Sequence, residues 1–171
     1  RTCRRQTSRI ISMPRTGKVT KRVTKPDSVY ENRLVAKIIN KIMLSGKKSI
    51  AQKHVYKALE IVKTQTKEDP IVALNQAIDN VKPTMEVRSR RVGGAAYQVP
   101  MPVRGDRRES IAIRWIIDAA RKRSNSEYHH FYQKLAAELT DALKNQGGAI
   151  DRKTQAHKVA ESNKAFSHFR W

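Results

Sequence analysis

Apolar positions repeat with the 3.6-residue period of an α-helix through most of this chain, and with a period of two in one stretch near its middle. The first helical pattern opens at Ser28, where Ser28 and Glu31 have the spacing of a capping box. It carries Leu34, Val35, Ile38, Ile39, Ile42 and Met43 on one face, and Gly46 closes it. A second box, Ser49 with Gln52, introduces Ala51, Val55, Ala58, Leu59 and Val62, running to about Thr64. The link from Ser45 to Lys48 is short, so these two helices should lie antiparallel with Lys47 and Lys48 exposed at the corner. Asp69 and Pro70 set a cap and a proline at the first helical position, and Ile71, Leu74, Ala77, Ile78 and Val81 continue the stripe until Pro83 stops it.

The period then changes. Met85, Val87 and Ser89 alternate with Glu86, Arg88 and Arg90, and Tyr97, Val99, Met101 and Val103 alternate beyond Gly93 and Gly94. This predicts a β-hairpin over about residues 84–104. Pro100 and Pro102 have no N–H for a ladder, so their strand must be an edge, as in a ribbon of two strands. An isolated ribbon is marginal in water and needs the helical body at its base or a partner along its sides. Asp106 and Glu109 read as a third capping box before Ile111 to Ala120, which should be the most buried helix, with Trp115 filling the core. The helix ends in Arg121, Lys122 and Arg123. Tyr128, Phe131 or Tyr132, Leu135, Leu139 and Leu143 mark the next helix, closed by Gly147 and Gly148. A last helix starts near Asp151, with a thin stripe of Ala156, Val159 and Ala160 that should pack lightly. The fold class is mainly α: a single-domain bundle of about six helices with a protruding two-stranded antiparallel β-ribbon between the third and fourth.

Charge turns this outline toward function. Of 171 residues, 36 are Lys or Arg and 15 are Asp or Glu, a formal net charge of +21, so the folded chain repels itself unless a polyanion neutralises it. Nine of those cations and no acid precede Asp27, which marks residues 1–26 as a basic arm and 27–171 as the folded domain. Cations spread over arm, loops and helices suit a phosphate backbone. A membrane surface would call for one amphipathic helix beside an apolar anchor, and no membrane partner is expected. Residues Arg1 to Ser12 fit either an RNA-binding arm, the favoured reading, or the remnant of an organellar transit peptide.

Other chemistries find little support. The single cysteine, Cys3, rules out an intramolecular disulfide and a cysteine-built zinc site. His129 and His130 are adjacent and point to different helix faces, while His54, His157 and His168 lie in separate elements, so no metal spacing results. No phosphate loop, nucleophile elbow or carboxylate pair appears, and neither catalysis nor a cofactor is expected. His157, with Lys153 one turn before it, is the histidine expected to meet a phosphate. Phe166, Phe169 and Trp171 either dock on the body or meet RNA or a neighbouring protein.

The most informative segment is Arg88-Ser-Arg-Arg-Val-Gly-Gly-Ala-Ala-Tyr-Gln-Val-Pro, a glycine-tipped ribbon flanked by Arg88, Arg90 and Arg91 that can enter a groove between RNA helices. A DNA-bending ribbon is the rival reading; such ribbons come in pairs from an intimate dimer with proline at the tip, whereas here the tip is glycine and no homo-oligomer is expected. Extended to Met85, the segment resembles the signature of the small-subunit ribosomal protein S-seven family. Gly46-Lys-Lys-Ser, Ala112-Ile-Arg-Trp, Ala119-Ala-Arg-Lys-Arg and Ala160-Glu-Ser-Asn-Lys-Ala-Phe-Ser-His-Phe-Arg-Trp resemble it in the same order, from Met13 to Trp171. Residues 1–12 precede the usual family start, and Ser124 to Tyr132 is longer and more aromatic than the family's pattern.

The resemblance implies a helical bundle with a protruding ribbon that binds the 3′ major domain of small-subunit rRNA. It further implies a place in the head of the ribosomal subunit, early in head assembly, near exit-site tRNA, mRNA and other head and platform proteins. A ribosome of the bacterial cytoplasm, a plastid or the mitochondrial matrix would fit. Matched by position, Arg15, Lys18, Lys21, Arg22, Lys47, Lys48 and the ribbon arginines would contact rRNA, and the tip Arg91, Val92, Gly93, Gly94 and Ala95 would face tRNA. Lys25, Arg104, Arg107, Arg108, Arg114, Arg121, Lys122, Arg123 and Lys153 complete the set of candidate RNA contacts.

Overall fold

Each stretch with a helical apolar stripe forms a helix, and the alternating stretch forms the ribbon. The computed structural model describes residues 23–169. In chain order they build α1 (Arg33–Ile42), α2 (Lys48–Thr66), α3 (Pro70–Val81), β1 (Met85–Val92), β2 (Ala95–Pro102), α4 (Gly105–Lys122), α5 (Phe131–Leu143) and α6 (Gly148–Ser162), followed by a 3-10 segment, Lys164–Phe169. Helix α5 lies against α2, α3 and α4, so Leu135, Ala136, Leu139 and Ala142 meet Val55, Leu59, Leu74, Ile78, Ile116 and Ile117 in one continuous core. The two strands pair antiparallel from Met85 opposite Pro102 to Val92 opposite Ala95, and the ribbon rests on α6 at its root.

Three expected capping boxes do not form, and at the first and third a partner distant in sequence, Tyr56 or Lys37, engages a nearby carboxylate. The Ser28–Glu31 box does not form. Asp27, buried, accepts the N–H groups of Val29 at 3.3 Å and Tyr30 at 3.5 Å and the Tyr56 hydroxyl at 2.8 Å, which folds the chain into a turn. Glu31 then sits at φ 48°, outside the helical region, and Asn32 becomes the cap, accepting from Leu34 N–H at 2.7 Å. The second helix starts at Lys48 with Lys47 as its cap residue, so Ser49 falls inside its first turn. The fourth starts at Gly105, capped by Arg104; Asp106 lies in the first turn, where its charge suits the helix dipole, and Glu109 instead accepts from Lys37 Nζ at 2.7 Å.

Burial is also redistributed. Helix α5 buries six of its 13 residues and packs on α2, α3 and α4, while all six buried residues of α4 fall within the segment Ile111 to Ala120, as expected of it. Trp115 is only partly buried; it lines a surface groove with Pro83, Met85, Gln155 and Ala156, because its face of α4 turns to the ribbon root and α6. Helix α6 begins at Gly148, three residues earlier than expected. Of its stripe only Ala160 is buried, joined by Ala149, and Val159 stays 47% exposed. Helix α6 is therefore held mainly by polar contacts and by its ends.

Candidate nucleic-acid interface

Ribbon geometry follows from its turn. Gly93 at φ 59° and Gly94 at φ 91° both have left-handed backbones, as a two-residue turn with the twist of the flanking strands requires, and no atom lies within 4 Å of where a Cβ would stand. The tip is therefore bare backbone. Arg88 faces Val99 and Arg90 faces Tyr97 on one side of the ribbon, while Arg91 faces Ala96 on the other, so cations flank both sides. Arg88 and Arg91 are exposed. At the root Glu86 receives Arg88 Nη2 and Arg107 Nε, each at 2.7 Å. Burial opposes ionisation of Glu86, but these two guanidinium groups outweigh it and hold its carboxyl below the usual range.

Other predicted contacts gather on the body. Lys47 and Lys48 are exposed at the α1–α2 corner, and Lys25, Arg104, Arg107, Arg114, Arg121 and Lys122 are exposed as well. Arg114 shares a shallow groove with Thr24, Lys37, Asn40, Lys41 and Ser110, side chains of the types that donate to phosphate oxygens. Lys37 and Lys41 were not singled out by sequence. Their i, i+4 spacing opposite the apolar stripe of α1 was the available signal. Arg108 is partly buried, with its Nε lacking a hydrogen-bond partner. Arg15, Lys18, Lys21 and Arg22 lie outside the described residues, as does Trp171.

Three predicted contacts are occupied inside the protein. Arg123 donates from Nε to Glu138 Oε2 at 2.8 Å and from Nη2 to Asp141, and its side chain is only 19% exposed. Burial disfavours its charge, yet Asp141 and Glu138 more than offset this and raise its pKa further. Lys153 donates to the Asn80 carbonyl at 2.5 Å near the end of α3. His157 accepts the Thr84 N–H at Nε2, 3.1 Å away, and burial, with Lys153 beside it, pushes its pKa down. An imidazole whose Nε2 accepts a backbone proton is a strut for the ribbon root. Arg121 keeps an exposed side chain but spends Nη2 on the Ile42 carbonyl at 3.2 Å.

An aromatic patch escaped the sequence reading in part. In the region around Ser124 to Tyr132, Tyr132 stacks with His130 at 5.3 Å and His54 at 6.2 Å between centroids, and Lys57 lies 5.5 Å over its ring. Burial, then His130 and Lys57, lower the His54 pKa. Among the described residues no group of three His, Cys, Asp or Glu side chains is placed to hold a metal ion, and no helix is long and apolar enough to cross a membrane. The Phe166 and Phe169 rings dock on Tyr97 of the ribbon.

Known proteins share this architecture's sequence over nearly all of its length. Residues 14–164 match the family described as ribosomal protein S7p/S5e. The small ribosomal subunit protein uS7 of Dictyoglomus thermophilum is 54% identical over 159 residues, covering 93% of this chain and all of that protein. The uS7 proteins of Caldicellulosiruptor saccharolyticus and Moorella thermoacetica are 52% and 50% identical over the same shares. With the bundle, the glycine-tipped ribbon and the matched residues in agreement, the chain belongs to the ribosomal protein S7p/S5e family.

Proposed function

We propose that this protein is a non-enzymatic, structural constituent of the small ribosomal subunit that binds the 3′ major domain of its rRNA and organises the subunit head. The observation that carries this reading is the disposition of charge. Glu86, Glu109, Glu138, Asp141, Asp79 and Asp118 are paired with cations of the chain itself, while Lys47, Lys48, Arg91, Arg104 and Arg114 lie exposed around the ribbon, the groove and the helix corner. Such a surface suits several RNA helices meeting at a junction, mostly through phosphate and sugar contacts that read shape. The arm at residues 1–26 would add contacts, with Arg15, Lys18, Lys21, Arg22 and Lys25 along its length. The tip, bare at Gly93–Gly94, would reach toward exit-site tRNA and the mRNA path, and neighbouring head and platform proteins would complete the surroundings within the ribosome.

A competition measurement tests this. Structured head-domain rRNA is set against duplex DNA of equal length at physiological salt, and the rRNA should win by a wide margin; equal affinity refutes the reading. Affinity should fall linearly in log salt, and Arg88→Ala or Arg91→Ala should each reduce that slope by about one.

A further inference from the structure

A ribbon of two strands does not fix its own direction; that is set by what it leans on. Here the root is held by the Thr84–His157 hydrogen bond and the Glu86–Arg107 ion pair. A further contact reaches farther out. Tyr97, opposite Arg90 in the ladder, packs on Phe166 and Phe169 with centroids 5.2 Å and 5.5 Å away. Both phenylalanines belong to the 3-10 segment Lys164–Phe169, tied back to α6 through the Phe166 N–H and the Asn163 carbonyl at 3.0 Å. All three rings are partly buried. The segment thus bridges α6 and the outer half of β2, and it buries none of its own residues in the body's core.

We propose that residues 164–169 are a strap that sets the angle of the ribbon, with Tyr97, Phe166 and Phe169 as positioning residues for RNA binding. The RNA half of this inference rests on the function proposed above. Arg88 and Arg91 on the ribbon must meet phosphates at the same time as Lys47, Lys48 and Arg114 on the body, so the distances between these groups have to match one RNA surface. A ribbon already aimed spends no binding free energy on being ordered, whereas a ribbon released from its strap would have to be ordered by the RNA. The rings act through the ribbon. Their faces are spent on one another, which leaves the strap poorly suited to stacking on bases itself.

The test uses the full-length chain, its Phe166→Ala/Phe169→Ala and Tyr97→Ala variants, and Tyr97→Phe, which keeps the ring. Hydrogen exchange of the free protein should show the amides of Arg88 to Tyr97 exchanging on the order of tenfold faster in the alanine variants, the size expected for losing aromatic pairs. Protection in α2, α4 and α5 should be unchanged, and Tyr97→Phe should behave as the parent. Affinity for head-domain rRNA should fall several-fold in the alanine variants, and should fall by clearly less when Arg88→Ala and Arg91→Ala are already present. Unchanged ribbon exchange overturns the strap. Fully additive losses overturn it as a positioning device, because they mean the rings touch RNA directly. Should the parent chain fail to select rRNA, the interface reading falls, while the exchange measurement still passes or fails the strap.

Discussion

Replacing Arg123 by alanine isolates Glu138, the most deeply buried charged side chain among the described residues. Glu138 has a side chain 2% exposed, and its Oε2 accepts from Arg123 while its Oε1 accepts the Ala149 N–H at 2.9 Å, which caps α6 from a different helix. Removing one partner of a buried pair leaves the other charge without compensation, at a cost of about 3–5 kcal/mol. Arg123 keeps a fifth of its side chain in water and Glu138 keeps one hydrogen bond, so the lower end applies, about 3 kcal/mol. For a domain of this size that corresponds to a fall in Tm of about 6–12 °C. Thermal and urea unfolding should report it as a lower midpoint at an unchanged denaturant slope. Arg123→Met with Glu138→Met should recover most of the loss, leaving about 1 kcal/mol for the Ala149 N–H that then lacks its acceptor. The same single variant should leave the salt slope of RNA binding unchanged, since this guanidinium is spent internally. A loss below about 1 kcal/mol, or a double variant less stable than the single, refutes the account.

Tyr56→Phe removes the hydroxyl that donates to buried Asp27 at 2.8 Å and should cost about 1–3 kcal/mol in urea unfolding, with loosening confined to the turn before α1. Gly147→Ala should destabilise by more than 1 kcal/mol, roughly the left-handed penalty, because φ is 96° and the new Cβ would stand 3.1 Å from Glu138 Oε1 and from Asp141 Cβ; Gly94→Ala meets no atom and should cost only the backbone term. His157 and His54 both have lowered native pKa values, so the unfolded chain takes up protons first as pH falls. Their contribution is intact above pH 6.5, begins to fade below it, and is gone once pH is under their native values. Unfolding midpoints measured across that window should decline, and His157→Gln should flatten the decline.

Periodicity and charge count are local properties, and the sequence by itself determined what depends on them. The apolar stripes of α1 to α5 are fixed by the 3.6-residue turn, the ribbon by the alternation about Gly93–Gly94, the excess of cations by composition, and the absence of a cysteine-built site by Cys3 standing alone. Tertiary structure alone decided which cations remain available. Arg123 is claimed by Glu138 15 residues away, Lys153 by the Asn80 carbonyl across 73, Arg121 by the Ile42 carbonyl across 79, and Glu109 by Lys37 across 72. The helix ends follow the same rule. Glu138 caps α6, Lys134 donates to the Arg123 carbonyl at 2.5 Å to close α4, and the boxes expected at Ser28, Ser49 and Asp106 give way. A hydrogen bond is satisfied by whichever partner the packed chain brings within 3 Å or so, and burial strengthens that choice by removing water as the competitor. Spacing along the chain carries no record of those long-range meetings, so a basic residue that reads as an RNA contact becomes a strut once the helices close around it.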